Sequence, residues 1–293
     1  DKRRGIGWSR RRTAGSVIIL VLVTVLLAAF LLTKFVQRAG TEMLADARAG
    51  GQATLRREAY SALEVTLAVL ADVRAIDNGL HSPAQGWDRP LDYAGYVPGD
   101  GRTVEVAFED ESGKISLPRT DFVAMEGLLE LLGLEQNLAE QVSDAMLVWI
   151  RPDYVPVSLE AGAGSYERAV IPYDPAQRPL RAFSELAAVD VAREVFFDEL
   201  GRPTALAQQF EANVSLYSFD RINLNAAPSP VLAASGLAAD QIDALKERER
   251  REKLSGGLGY YRSVGDASAV LGGNAQLQGF GAEVRALRIN VTV

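Results

Sequence analysis

The sequence predicts an α+β protein in which one long N-terminal helix packs on a small antiparallel sheet and a large α-helical block is inserted into the sheet region. Three observations predict it. An apolar run near the N-terminus continues without a proline into an amphipathic stretch. Two segments far apart in the chain, 104–109 and 287–293, alternate apolar and polar residues. Between them, apolar residues recur mostly at helical spacing.

The run 17–32, VIILVLVTVLLAAFLL, has Thr24 as its one polar residue. With Phe35 and Val36 it approaches the roughly 20 residues that a membrane-spanning helix needs. Lys2, Arg3, Arg4, Arg10, Arg11 and Arg12 precede it, which predicts a cytoplasmic N-terminus, a single pass through the inner membrane and a periplasmic body. Three readings compete for this segment: a signal peptide, a plain anchor, and a short basic leader cut between Gly15 and Ser16, just before the apolar run. No clean small-x-small cleavage site follows the run.

Residues 34–77 contain no proline, and Leu55, Ala59, Leu63, Leu67 and Leu70 fall on one helical face. One helix from about Ser16 to about Asp77 is the simplest reading, with Gly50-Gly51 as its weak point at ~1 kcal/mol per glycine. Asn78-Gly79 ends it.

In the strand at 104–109, Val104, Val106 and Phe108 share one side. In the strand at 287–293, Leu287, Ile289, Val291 and Val293 do the same. Helical stripes follow at 121–132 (Phe122, Met125, Leu128, Leu129, Leu132) and 138–150 (Leu138, Val142, Ala145, Met146, Trp149), with more helices near 183–200, 228–235 and 239–253. The proline-rich stretch 152–181 reads as a long loop.

A weak internal repeat is present. Ile115-Ser116-Leu117-Pro118 resembles Ile222-Asn223-Leu224-Asn225, Leu132-Gly133-Leu134 resembles Ser235-Gly236-Leu237, and Gln141–Ala145 resembles Gln241–Ala244. It predicts two related helical hairpins, each entered through a short extended segment. The predicted parts are a leader (1–15), a membrane half-helix (16–33), a soluble half-helix (34–78), a sheet region (79–110 with 281–293) and a helical block (111–280).

Composition excludes much chemistry. The chain has 293 residues, no cysteine and one histidine, so thiol chemistry, cysteine-based metal centres and multi-histidine sites are excluded. No phosphate-binding loop, nucleophile elbow or catalytic carboxylate pair stands out. His81 reads as an inert, exposed turn residue. The net charge is −7, and residues 1–12 carry +5, so the rest carries −12. Such a body is a poor general binder of nucleic acid. Asp110, Glu111, Asp153, Glu160, Glu167 and Asp174 are candidate calcium ligands, against the alternative that Asp110-Glu111-Ser112-Gly113 is a turn capping a strand. Ile222–Pro228 resembles the opening of helix-hairpin-helix modules, including those of periplasmic DNA receptors. Its following basic run, Lys246 to Lys253, is diluted by Glu247, Glu249 and Glu252. It reads as a module that kept its packing and lost its ligand.

Assembled in order, the Gly15/Ser16 junction, Glu109–Leu117, the helix end Asp144–Ile150, Arg178–Leu186 and Ile222–Pro228 resemble the minor pseudopilin K family of the type II secretion system. The resemblance implies a pilin-like fold with a helix-hairpin-helix/SAM-like insertion. It implies cleavage by prepilin peptidase with methylation of the new N-terminus, and calcium in the head. It implies a place at the pseudopilus tip with minor pseudopilins I and J, starting or capping assembly for export, and no enzymatic role. Major pilins carry a glutamate at the fifth position after the cut. Here that position is Leu20, as the resemblance implies for a tip subunit. A membrane-anchored DNA receptor of the helix-hairpin-helix type is the alternative.

Overall fold

The computed structural model describes residues 13–99, 101–158, 166, 172–272 and 275–293, with 13–16 as backbone only. The chain divides into two compact units, Asp1–Ser61 with Val293, and Ala62–Thr292.

Helix α1 (Thr13–Asp77) supplies the described part of the first unit and the start of the second. It continues through Gly40, Gly50 and Gly51, where a Cβ would meet nothing within 4 Å. The apolar side chains from Val17 to Val36 are exposed, and the helix is long and apolar enough to cross a membrane. The hydroxyls of Thr24 and Thr33 donate to the carbonyls of Val21 and Ala29, each at 2.8 Å. Polar groups in lipid have to be satisfied internally in this way.

In the second unit, α1 buries Ala62, Thr66, Val69, Leu70 and Val73. This corrects the expected face: of the leucine-rich stripe, only Leu70 is buried, while Leu55 and Leu67 are 43% and 50% exposed. The buried stripe starts with small residues, and small residues permit a close approach. Asn78, at φ 56, takes the left-handed conformation and stops the helix. Val69, Leu70 and Val73 pack with Trp87, joined by Leu80, Phe108, Val284, Leu287 and Ile289.

The expected sheet is present. Strands β1 (Glu105–Asp110) and β6 (Leu287–Thr292) pair antiparallel, with Glu105 opposite Thr292 and Asp110 opposite Leu287. Among the described residues it has two strands. Phe108 and Ile289 are opposite each other and project with Leu287 into the cluster around Trp87.

The block between these strands holds the larger core. Before it comes the short helix α2 (Pro90–Tyr93). Helices α3 (Phe122–Leu131) and α4 (Gln136–Ile150) form the first hairpin and bury Met125, Leu128, Leu129, Val142 and Met146. Asp121 caps α3 by accepting from the Ala124 amide at 2.9 Å. The expected helix near 183–200 is instead a 3-10 helix (Phe183–Ala188) and a short helix α5 (Ala192–Phe196). Helix α6 (Ala205–Asn213) was not expected. It begins at Thr204, whose hydroxyl accepts from the Ala207 amide. Helices α7 (Ser229–Ala234) and α8 (Ala239–Ser255) match the expected second hairpin, and α9 (Val264–Leu271) is an addition.

The repeat is structural. Strand β2 (Ile115–Ser116) pairs parallel with β3 (Val214–Ser215), and β4 (Ile222–Asn223) pairs parallel with β5 (Phe280–Gly281). The Leu117 amide then donates to Ser215 O and the Leu224 amide to Gly281 O, each at 2.9 Å. Each hairpin turns on a glycine with positive φ, Gly133 at 101° and Gly236 at 95°. The amides of Leu134 and Leu237 close the two turns on Leu129 O and Leu232 O. The expected extended entries to the hairpins are thus strands β2 and β4, each with a parallel partner that the sequence reading did not anticipate.

Candidate functional site

The densest polar cluster lies where β1 ends. Asp110 caps a 3-10 turn (Glu111–Gly113) by accepting from the Ser112 amide at 2.9 Å. Its other oxygen accepts from Asn223 Nδ2 at 2.7 Å. Burial pushes the Asp110 pKa above the ordinary carboxylate value, and the hydrogen bonds from Ser112 and Asn223 oppose that shift. Glu111 is 1% exposed and faces Arg288 at 2.5 Å and Lys114 at 3.5 Å. Lys114, itself buried, also pairs with Glu109 and donates to Glu211 O.

Two asparagines tie the end of α1 and the second hairpin to this turn. Asn223 Nδ2 donates to His81 O at 3.0 Å as well as to Asp110. Asn225 accepts from the Tyr261 amide at 2.6 Å and donates to Tyr261 O and Ala282 O. His81 is buried, not exposed as expected. Its Nδ1 donates to Ala282 O at 2.6 Å and its ring stacks on Tyr260. That donation fixes the tautomer and leaves the imidazole a structural part. Gln85 is a second hub: its Oε1 accepts from the His81 and Ser82 amides and from Trp87 Nε1, and its Nε2 donates to Asp77.

Gly113 sits against the second hairpin. A Cβ there would lie 2.7 Å from Ala226 Cβ and 2.8 Å from its carbonyl carbon. Gly113→Ala is therefore expected to destabilise the junction by about 1–3 kcal/mol, as overpacking does. A lowered unfolding midpoint in urea checks it, against Gly127→Ala in open space inside α3, where the gain in helix propensity is expected to raise the midpoint instead.

The sequence candidates distribute unevenly. Asp110 and Glu111 are brought together, but their oxygens face Ser112, Asn223, Lys114 and Arg288, so this pair does not fit a calcium ion. The alternative of a capping turn is what the structure contains. Asp153, in the turn after α4, and Asp174 are exposed. Glu160 and Glu167 lie outside the described residues. Among the described residues, no group of three or more His, Asp or Glu is arranged to hold a metal. Leu20 is exposed on α1, and Gly15 and Ser16 lie in its first turns with side chains outside the described set. The basic leader 1–12 is also outside it.

Asp144 was missed as an anchor. It is fully buried on α4 and accepts from Tyr154 Oη at 2.5 Å and from the amides of Val157 and Ser158. Burial and this carboxylate push the Tyr154 pKa far up.

Four of the five cations in the basic run on α8 are engaged internally. Arg250 pairs with Glu247 and Lys253 with Glu249, Lys246 donates to Ala227 O, and Arg248 lies over the Tyr261 ring at 4.7 Å. A phosphate backbone needs such cations unpaired.

Residues 110–207 match the family described as type II secretion system (T2SS), protein K. Over this segment, about a third of the chain, it is similar to protein K. The matched segment opens on the Asp110 cap, covers the first helical hairpin and ends inside α6. A chain of the solved GspK-GspI-GspJ complex from the type 2 secretion system of enterotoxigenic Escherichia coli has the same fold, with a TM-score of 0.61. The two chains are 18% identical, and the likeness covers 85% of this chain and 89% of that one. No curated protein matches the sequence. The protein K family is a secretion-system component, and the exposed apolar part of α1 is consistent with a single-pass membrane anchor.

Proposed function

We propose that this chain is a protein K and a non-enzymatic assembly subunit, held in the inner membrane by Ser16–Leu32 with its N-terminus cytoplasmic and its body periplasmic. Prepilin peptidase cuts it between Gly15 and Ser16, and the mature chain joins the pseudopilus tip with minor pseudopilins I and J. There it starts or caps assembly for export across the outer membrane. The observation that carries this reading is an exposed apolar helix leading into a body with a protein K segment. Leu20 supports it, because a tip subunit has no neighbour above to pair with a buried glutamate, and an unpaired carboxylate in lipid is costly. The large block between β1 and β6 supports a cap, since its bulk would obstruct a further subunit.

The test is the N-terminal sequence of the membrane-extracted protein from cells with and without prepilin peptidase. The expected result is a start at Ser16 that requires the peptidase. An intact N-terminus in both would overturn the pseudopilin reading.

A further inference from the structure

Beside the polar junction a cleft of about 360 Å³ opens, with Arg221, Arg262 and Arg285 among its lining residues and Glu283 as its one lining carboxylate. Three guanidinium groups around a single cleft stand out in a body that carries −12 beyond its first twelve residues.

Each cation rises from pinned backbone. The Arg262 amide donates to Asp266 Oδ2 and the Arg285 amide to Ser112 Oγ, both at 2.9 Å. Arg221 directly precedes β4, whose Ile222 amide donates to Gly279 O at 2.9 Å. Its stem passes over Gly281, where a Cβ would lie 3.2 Å from Arg221 Cβ. The side chains are loosely held by comparison. Arg262 reaches Asp77 only at 4.0 Å, and Arg285 reaches Glu283 at 3.3 Å. Among the described residues, Arg221 has no ion pair or hydrogen bond. Guanidinium is a planar fork suited to carboxylates, and three of them here share fewer carboxylates than they can bind.

We propose that this cleft is a docking site for a short acidic segment of a partner protein, whose Asp or Glu carboxylates are held by Arg221 and Arg285 with Arg262 at the rim. The surrounding charge selects the occupant. Fields reach about 8 Å at physiological salt, so an extended polyanion such as nucleic acid or an anionic membrane also meets the acidic body. A narrow acidic segment senses mainly the arginines. The assignment does not depend on a tip position.

The test uses the full chain in detergent micelles and a fluorescent hexaglutamate peptide, read by anisotropy at low and physiological salt. Binding weakened about tenfold or more by Arg221→Ala with Arg285→Ala is the expected result, the size typical of truncated charged anchors. Arg250→Ala, on α8, is expected to change nothing. Near-ultraviolet circular dichroism checks folding, and Arg221→Ala alone, expected to weaken binding severalfold, keeps the test readable if the double variant unfolds. Absence of peptide binding, or equal binding by the folded variants, overturns the proposal. So does displacement by inorganic phosphate or duplex DNA at concentrations matching unlabelled peptide, which would make the cleft a general oxyanion site.

Discussion

Trp87→Ala is expected to lower stability by about 3–5 kcal/mol, the range for truncating a fully buried aromatic. Trp87 is fully buried, meets Phe108 edge-on at 5.0 Å and fills the space between α1 and the two strands. Its indole also donates to Gln85 Oε1 at 3.2 Å, so the change empties a cavity and takes one donor from the Gln85 hub. A two-stranded sheet is marginal alone and depends on this packing. Urea unfolding of the full chain in micelles, followed by near-ultraviolet circular dichroism, measures the effect. Trp87→Phe is expected to recover more than half, because most of the apolar volume returns. An unchanged midpoint for Trp87→Ala would mean that the helix and the sheet do not depend on this cluster.

Arg288→Ala is expected to cost about 2–3 kcal/mol, somewhat less than the 3–5 kcal/mol of a fully buried pair. Arg288 is 43% exposed, and Lys114 stays 3.5 Å from the Glu111 carboxylate after the change. The penalty comes from Glu111, left buried with one partner fewer. Glu111→Gln in the same chain is expected to restore much of the loss, since the stranded charge is then gone. A loss in the double variant equal to the sum of the two single-variant losses would show that the residues do not act as a pair.

Several elements were legible in the sequence because their cause is local. The apolar run and the proline-free stretch after it specify α1, and Asn78 ends it by adopting the left-handed conformation. Alternation at 104–109 and 287–293 marked both strands, because a period of two turns one face to a core, and the fold pairs them antiparallel. The repeated Ile-x-Leu entries and Gly133 and Gly236 marked the two hairpins. The order of motifs was enough for the family resemblance, which the match over 110–207 bears out.

Tertiary structure decided what depends on distant partners. The buried face of α1 is chosen by Trp87 and Phe108, which local hydrophobicity along the helix does not register. Two-residue strands such as β3 and β5 are too short for any period, so their parallel pairing is invisible before the chain folds. His81 is buried because Ala282, two hundred residues away, supplies its carbonyl. Asp110 and Glu111 carry the composition of a cation site, yet Asn223 and Arg288 meet their charges. Sequence determined which segments bury apolar surface and which carry charge. Only the fold determined which charges meet, because ion pairing and hydrogen bonding act over a few ångströms and are set by elements far apart in the chain.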